Sequence, residues 1–272
     1  MSSKPVVFGI LNITEDSFSD GGRYLAPAAA QDHARAMMRD GADVIDIGAA
    51  SSNPDAKAVA PDMEIARLAP VVAALQARHT PVSIDSFSGA VQRWALTQNV
   101  DYLNDIQGFS DPAIYRDLAN SQSKLIVMHS VQGRGRATRV EISPSEIFGR
   151  SQKFFKDRIG ALTGAGIARD RLILDPGMGF FLGSNADASF EMLRRICDLK
   201  DCFGQPVLIS VSRKSFLRKI TGRMPGQAGA ATLAAELFAT LQGADMLRTH
   251  DPASLTDAFK VWQRLDKLTP SP

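Results

Sequence analysis

Carboxylates and amides stand at the ends of short apolar runs throughout this 272-residue chain. VSID ends in Asp85, YLND in Asn104 and Asp105, and LILD in Asp175, which Pro176-Gly177 follows at once. A short apolar run, then an acid, then a turn reads as a buried strand delivering a polar group at its C-terminal end. Further runs carry Asn12, Asp46, His129, the triplet Ser212-Arg213-Lys214, and Arg248 with His250. One polar residue after a strand is ordinary, because turns favour Asp, Asn and Ser. Eight such ends suggest a ring around a polar ligand. A carboxylate accepts two parallel hydrogen bonds from an amidine-like edge, so Asp85, Asn104 and Asp175 suit a nitrogen-rich heterocycle. The cations expected at Arg248, His250 and Arg213 suit a phosphate or a planar carboxylate. The ligand expected is therefore a nitrogen-rich ring with an anionic group at its other end.

The stretch LILDPGMGFF (Leu172 to Phe181) is the densest of these signals. Its glycines let backbone approach a ligand, since glycine has no Cβ. Phe180 and Phe181 sit in a polar loop context; they read either as a plug over the barrel top or as the lining of a pocket. His129 reads as a residue that orients the fifth loop, and Asp46 as a group that satisfies the barrel mouth or touches substrate. The loop Gly133 to Arg139, with three arginines, reads as a solvated loop or a lid.

Strand-like and helix-like segments must position these groups, and they alternate regularly. Strands are expected at Val6–Leu11, Ala42–Gly48, Pro81–Asp85, Tyr102–Asp105, Lys124–Met128, Leu172–Asp175, Pro206–Ser210 and Asp245–Thr249. Helices are expected near Pro27–Arg39, Met63–Arg78 with Asp62 as its cap, Gly89–Thr97, Pro112–Ala119, Ser145–Gly164, Ala188–Phe203, Ala230–Leu241 and Ser254–Leu268. Eight alternations are the count of a (β/α)8 TIM barrel, and the length is near the typical ~250 residues. The α/β class is thus expected as a single barrel domain over residues 1–272, with an open doubly wound sheet as the alternative.

Composition narrows the function classes. Net charge is +2, from 31 basic and 29 acidic residues, so no nucleic-acid partner is expected. No apolar stretch approaches the ~20 residues that span a bilayer. The opening MSSKPVVFGI has no signal-peptide pattern, and Cys197 and Cys202 match no zinc or redox spacing. A cytoplasmic chain with free thiols is expected.

The motifs in their order resemble the dihydropteroate synthase family along nearly the full length. GILNITEDSFSDGG resembles that family's first loop, Asn-hydrophobic-Thr-x-Asp-Ser-Phe-Ser-Asp-Gly-Gly. SIDSF, YLNDI, VMH, LDPGMGF, SRKS and RTHD resemble its later strand ends. Seven motifs at barrel spacing are a specific signal where one would be weak. The resemblance implies condensation of 6-hydroxymethyl-7,8-dihydropterin pyrophosphate with p-aminobenzoate, giving dihydropteroate and pyrophosphate. It implies Asp85, Asn104, Asp175, Lys214 and Met128 at the pterin, and Asn12, Arg248 and His250 at the pyrophosphate. Asp85, Lys214, Arg248 and His250 are then the expected catalytic set. It further implies Mg²⁺ on Asn12, Ser215 and the second loop at p-aminobenzoate, and a homodimer formed through the last helices.

Two stretches depart from the family pattern, both on the p-aminobenzoate side. The usual Ser-Thr-Arg-Pro-Gly is replaced by Ser51-Ser52-Asn53-Pro54-Asp55, so a neutral amide stands where a guanidinium is usual. The usual Gly-Phe-Gly-Lys is replaced by Gly179-Phe180-Phe181-Leu182-Gly183. Both resemble the mobile sulfonamide-resistant synthases, in which a bulky side chain can reject a drug while admitting a smaller substrate. Ser51 to Pro54, Phe180, Phe181 and Ser215 are the expected determinants of that choice. A methyltetrahydrofolate-type methyltransferase and a pterin-binding protein without catalysis are the rival readings. The SRKS and RTHD motifs argue against the first, and retention of Asn12, Lys214, Arg248 and His250 against the second.

Overall fold

Residues 4–14, 24–51, 56–132 and 140–268 are described by the computed structural model, with side chains up to residue 265. Eight parallel strands lie among them: β1 (Val6–Asn12), β2 (Val44–Gly48), β3 (Val82–Asp85), β4 (Tyr102–Asp105), β5 (Lys124–Met128), β6 (Leu172–Asp175), β7 (Leu208–Ile209) and β8 (Met246–Thr249). Their order is β6-β5-β4-β3-β2-β1-β8-β7. The ring closes between β6 and β7, where Leu174 bridges Val207 and its N–H donates to the carbonyl of Pro206 at 2.9 Å. That closure excludes the open doubly wound sheet. The fold is a (β/α)8 barrel.

The helices are α1 (Pro27–Arg39), α2 (Pro61–Gln76), α3 (Gly89–Thr97), α4 (Tyr115–Ala119), α5 (Pro144–Gly164), α6 (Ala186–Arg194), α7 (Ile196–Phe203), α8 (Ser215–Thr221), α9 (Gly229–Leu241) and α10 (Pro252–Leu268). Three expectations need correction. Asp62 is not the cap of α2: Ala60 holds the cap position, Pro61 starts the helix, and Asp62 lies in its first turn. A proline at the first helical position is already set to the helical φ, so the helix starts earlier than the acid suggested. The expected helix Ala188–Phe203 is two helices, broken at Arg195 (φ −110°, ψ 18°). The long loop after β7 contains α8, which was not expected.

Alternation along the strands decides what fills the barrel. Successive side chains point to opposite faces of a strand, so residues two apart share a face. Phe8, Val44, Ile126, Ile173, Leu208 and Met246 form a buried cluster separate from the larger one between strands and helices. Two residues further along the same strands stand Asp46, Met128, Asp175 and Arg248, with Asn104 two beyond Tyr102, which packs on that cluster. An apolar layer thus floors the barrel, and a polar layer sits directly above it. In barrels of this type, chemistry is found at this C-terminal end.

The opposite end is tied by a repeated device. Asp43, Asp101 and Asp245 each precede a strand, and each accepts the first free N–H beside it. Asp43 Oδ2 takes Val7 N (2.8 Å), Asp101 Oδ2 takes Val82 N (2.8 Å), and Asp245 Oδ2 takes Val207 N (2.9 Å). A buried N–H without a partner costs about 1–3 kcal/mol. Asp101→Ala should therefore lower unfolding free energy by about 1 kcal/mol, while Asp101→Asn, which keeps an acceptor, should lower it by less. Urea titration of both variants checks this; equal losses would mean that the hydrogen bond is not the cause.

Candidate active site

Arg248 is the centre of the polar layer. Its Nε donates to Asp46 Oδ2 at 2.5 Å and its Nη2 to Asp85 Oδ2 at 2.6 Å. Asp46 is fully buried and the other two side chains are largely so. Burial alone would weaken the guanidinium charge, but Asp46 and Asp85 outweigh it and keep Arg248 firmly protonated. Asp85 is raised from the usual carboxylate range by burial, with Arg248 opposing. The side chain of Asp46, left between two roles by its sequence, holds the arginine.

Around this triad stand Asn104, Asp175, Met128 and Lys214. Register brings Asp85 beside Asn104 and Met128 beside Asp175. Burial raises Asp175 to about 6, although the N–H of Gly177 and the charge of Lys214 favour the carboxylate. Burial and Arg248 bring Lys214 down to about 8, against the pull of Asp175 and Asp85. Its ammonium lies 5.0 Å from the centroid of the Phe181 ring. Phe181 is buried against Met128 and Ile106, with Phe87 and Phe180 packed at the edge. Phe181 is therefore buried beside Met128 and Lys214, and Phe180 is the half-buried ring outside it. Ile106 and Phe87 were missed, because an isolated apolar residue after a strand carries no sequence signal.

Four oxygens in or next to this layer have no hydrogen-bond partner among the described residues: Asp46 Oδ1, Ser83 Oγ, Asn104 Oδ1 and Ser210 Oγ. Buried polar atoms are normally paired, and unpaired ones gather where a polar ligand completes the set. Here they share one end of one barrel with two carboxylates and two cations.

Other ring members turn out to have structural work. Asp105 is spent on the protein itself, accepting from Gln107 N (2.7 Å), Phe109 N (3.0 Å) and Gln92 Nε2 (2.9 Å). His129 is buried, its Nδ1 lies 3.1 Å from the carbonyl of Pro176, and burial lowers it to about 4. It orients the fifth loop. His250 was expected as a cation and is not one. Burial, then Arg213, Arg248 and Lys214, hold it well below its ordinary pKa, and its Nδ1 meets Ser212 Oγ at 3.0 Å. At neutral pH it is an uncharged hydrogen-bonding group, leaving the positive charge to Arg248, Lys214 and Arg213.

The loops that close the site rely on two glycines. Gly177 has φ 74°, and a Cβ there would lie 2.4 Å from the His129 carbonyl oxygen. Gly179 has φ 66°, and its Cβ would lie 3.1 Å from Ser215 Oγ. Only glycine lets the sixth loop pass so close to the fifth and seventh. Val131 N and Gln132 Nε2 then clasp the carbonyls of Phe181 and Phe180, each at 3.0 Å. Asn12 ends β1 beside Gly48, and Ser51 is half-buried at the start of the second loop. Ser52, Asn53 and Pro54 lie outside the described residues, as does the loop 133–139.

Fold and site together define a (β/α)8 barrel with a buried, charged polar cluster at the C-terminal mouth, the class in which barrel enzymes carry their sites. A family model described as pterin binding enzyme matches residues 8–250. The type-2 dihydropteroate synthase of Escherichia coli is 58% identical over 261 residues, covering 96% of both chains. The type-3 enzyme of the same organism is 54% identical, over 95% of this chain and 98% of its own. The crystal structure of the Yersinia pestis dihydropteroate synthase with a sulfonamide drug superposes with a TM-score of 0.88 at 31% identity, covering 97% of this chain and 95% of that one. The Xanthomonas albilineans synthase in complex with 7,8-dihydropteroate gives 0.81 at 30%, over 98% and 94%. The chain belongs to the pterin-binding enzyme family, in its dihydropteroate synthase branch.

Two outcomes follow from the site. Asp46→Ala should destabilise the protein by about 3 kcal/mol in urea unfolding, since it strips a buried cation of one partner. A loss under 1 kcal/mol would show that Asp85 alone suffices. The second concerns pH. Asp175 titrates at about 6, and only its carboxylate accepts two N–H donors, so protonation below that value removes ligand binding. Pterin affinity measured by calorimetry should fall as pH drops through about 7 and then about 6, where Asp85 and then Asp175 take up protons, and level off above that range. Asp175→Asn should bind weakly with a flatter profile.

Proposed function

We propose that this chain condenses 6-hydroxymethyl-7,8-dihydropterin pyrophosphate with p-aminobenzoate, releasing pyrophosphate and 7,8-dihydropteroate, as a step of folate biosynthesis. The observation that carries this reading is the set of unpaired oxygens beside Asp85, Asn104, Asp175 and Lys214. Their donors and acceptors match the edge of a pterin. Relatives solved with 4-aminobenzoic acid and with 7,8-dihydropteroate support the choice of co-substrate and product.

The residues divide the work. Asp85, Asn104 and Asp175 hold the ring, with Lys214 above and Met128 and Phe181 packed beside it. The bond from the exocyclic carbon to the pyrophosphate oxygen breaks, and the electron-rich dihydropterin stabilises the positive charge left behind. The aryl amine attacks that carbon and sheds a proton. Arg248, whose Nη1 makes no hydrogen bond among the described residues, and neutral His250 are placed to bind the departing anion. A preorganised cation favours charge that develops there. No strong general base is needed.

Asn12 would hold Mg²⁺. No cluster of three or more His, Cys, Asp or Glu suited to a metal is found among the described residues. Mg²⁺ is commonly held by one or two protein oxygens together with substrate phosphates, and the Asn12 amide oxygen would be the protein's share. When bound, the ion would neutralise charge on the leaving pyrophosphate. Exposed Ile220, Met224, Phe238, Leu241, Val261 and Leu265, on or near α8 to α10, support a homodimer through those elements. A cytoplasmic location fits the two free, exposed cysteines. No helix among the described residues is long and apolar enough to cross a membrane.

The reading extends to sulfonamides. In this reading the bulk of buried Phe181, with Phe180 packed outside it, stands at the carboxylate end of p-aminobenzoate. A sulfonamide carries a tetrahedral sulfur and further substituents, and a planar carboxylate does not. Dihydropteroate formation with Mg²⁺, titrated with sulfamethoxazole, tests both claims. Turnover should persist at high drug, and Phe181→Gly should lower the inhibition constant at least tenfold while keeping turnover. Absent turnover would sink the synthase reading; ready inhibition of the unaltered protein would sink only the drug claim.

A further inference from the structure

Behind the ring lies a buried hydrogen-bond chain that the reaction does not use directly. Gln92 on α3 is 2% exposed, and its Nε2 donates to the carbonyl of Ser86 and to Asp105 Oδ2, each at 2.9 Å. Ser86 directly follows Asp85, and Asp105 directly follows Asn104. One side-chain amide therefore spends both protons on the residues just beyond two of the groups that read the ring. The same corner is tied further. Ser86 N donates to the carbonyl of Asn104 (3.1 Å), and Ser86 Oγ donates to Glu64 Oε2 on α2 (3.0 Å) while accepting from Ser88 N (3.2 Å).

β3 and β4 have four residues each, and Asp85–Asn104 is the last pair of their ladder. Beyond that pair the exits are held relative to each other by few bonds, and Gln92 supplies two of them. An apolar side chain of the same length would pack against the neighbouring Val91 and Ala95 face of α3 but could bridge nothing. We propose that Gln92 is a positioning residue for the synthase reaction: it fixes the spacing of Asp85 and Asn104 by clamping the two strand exits. The assignment rests on the synthase reading, and its effect belongs to the pterin end of the site.

The test uses the full chain, unaltered and as Gln92→Met and Gln92→Glu, with both KM values and kcat measured at pH 6 and pH 8. Gln92→Met should raise the KM for the pterin pyrophosphate about tenfold and leave that for p-aminobenzoate within about twofold, since a tenfold change is the loss of about one good hydrogen bond. Gln92→Glu separates bonding from packing. Its carboxylate at pH 8 faces Asp105 and the Ser86 carbonyl with no proton to give, and should raise the pterin KM at least as much as Gln92→Met does. At pH 6, protonation lets it donate to Asp105, so its pterin KM, taken relative to the unaltered protein at the same pH, should recover. The charged groups around that position are Glu64 on α2, Asp85 on β3, Asp105 on β4 and Arg158 on α5, which acts on Asp105. If Gln92→Met does not fold, Gln92→Glu compared with itself at the two pH values decides. Equal effects on both substrates, an unchanged pterin KM, or no recovery at pH 6 would overturn the assignment. Failure of the unaltered protein to turn over would instead remove the synthase reading on which it stands.

Discussion

A guanidinium buried between two carboxylates is the interaction on which the site depends. Arg248 on β8 meets Asp46 on β2 and Asp85 on β3, partners 202 and 163 residues away in the chain. Neither contact exists unless β1 pairs with both β2 and β8, which brings the last strand beside the first ones. Taking three ionised groups out of water is expensive, and an apolar trio of equal volume would often serve stability as well or better. The arrangement makes sense as preorganisation for a polar, charged ligand. It holds Asp85 in place, and Arg248 Nη1 makes no hydrogen bond among the described residues.

The barrel supports this by dividing its interior. Phe8, Val44, Ile126, Ile173, Leu208 and Met246 exclude water beneath the site, and the next layer up is polar. An apolar floor raises Asp85 and Asp175 and lowers Lys214, because burial penalises whichever form is charged. Groups that would be fully ionised in water thus sit closer to neutrality, where binding can switch them. Hydrogen bonds from outside the layer compensate for the cost: Gly177 N to Asp175, Ser212 to His250, and Gln92 to the turn beyond Asn104.

The departures from the family pattern sit in the part of the site built by packing, apart from this charged network. Phe181 is buried against Met128 and Ile106, and its ring lies beneath the Lys214 ammonium. A bulky residue there changes shape and leaves the hydrogen-bonding set alone. Selectivity against a larger competitor can in this way be separated from the chemistry, which the polar layer carries.

Much of this was legible in the sequence. Strands that end in Asp85, Asn104 and Asp175 are written locally, as apolar runs stopped by an acid and a turn; eight alternations give the count of a barrel, and the pairing of β6 with β7 closes it. Order alone also brought out the motifs of the pterin-binding branch. What the sequence could not determine were the properties that arise from bringing distant groups together. His250 is written as a cation, yet burial first, and then the positive charges of Arg213, Arg248 and Lys214, disfavour its charged form. Asp105 is as acidic as Asp85 on paper, yet local backbone and Gln92 consume it. Asp46 reads as one carboxylate among many until closure sets Arg248 beside it. Residue type and local pattern determine which groups reach the mouth of the barrel. Charge state, partner and accessibility are decided by burial and by neighbours that only the closed ring supplies.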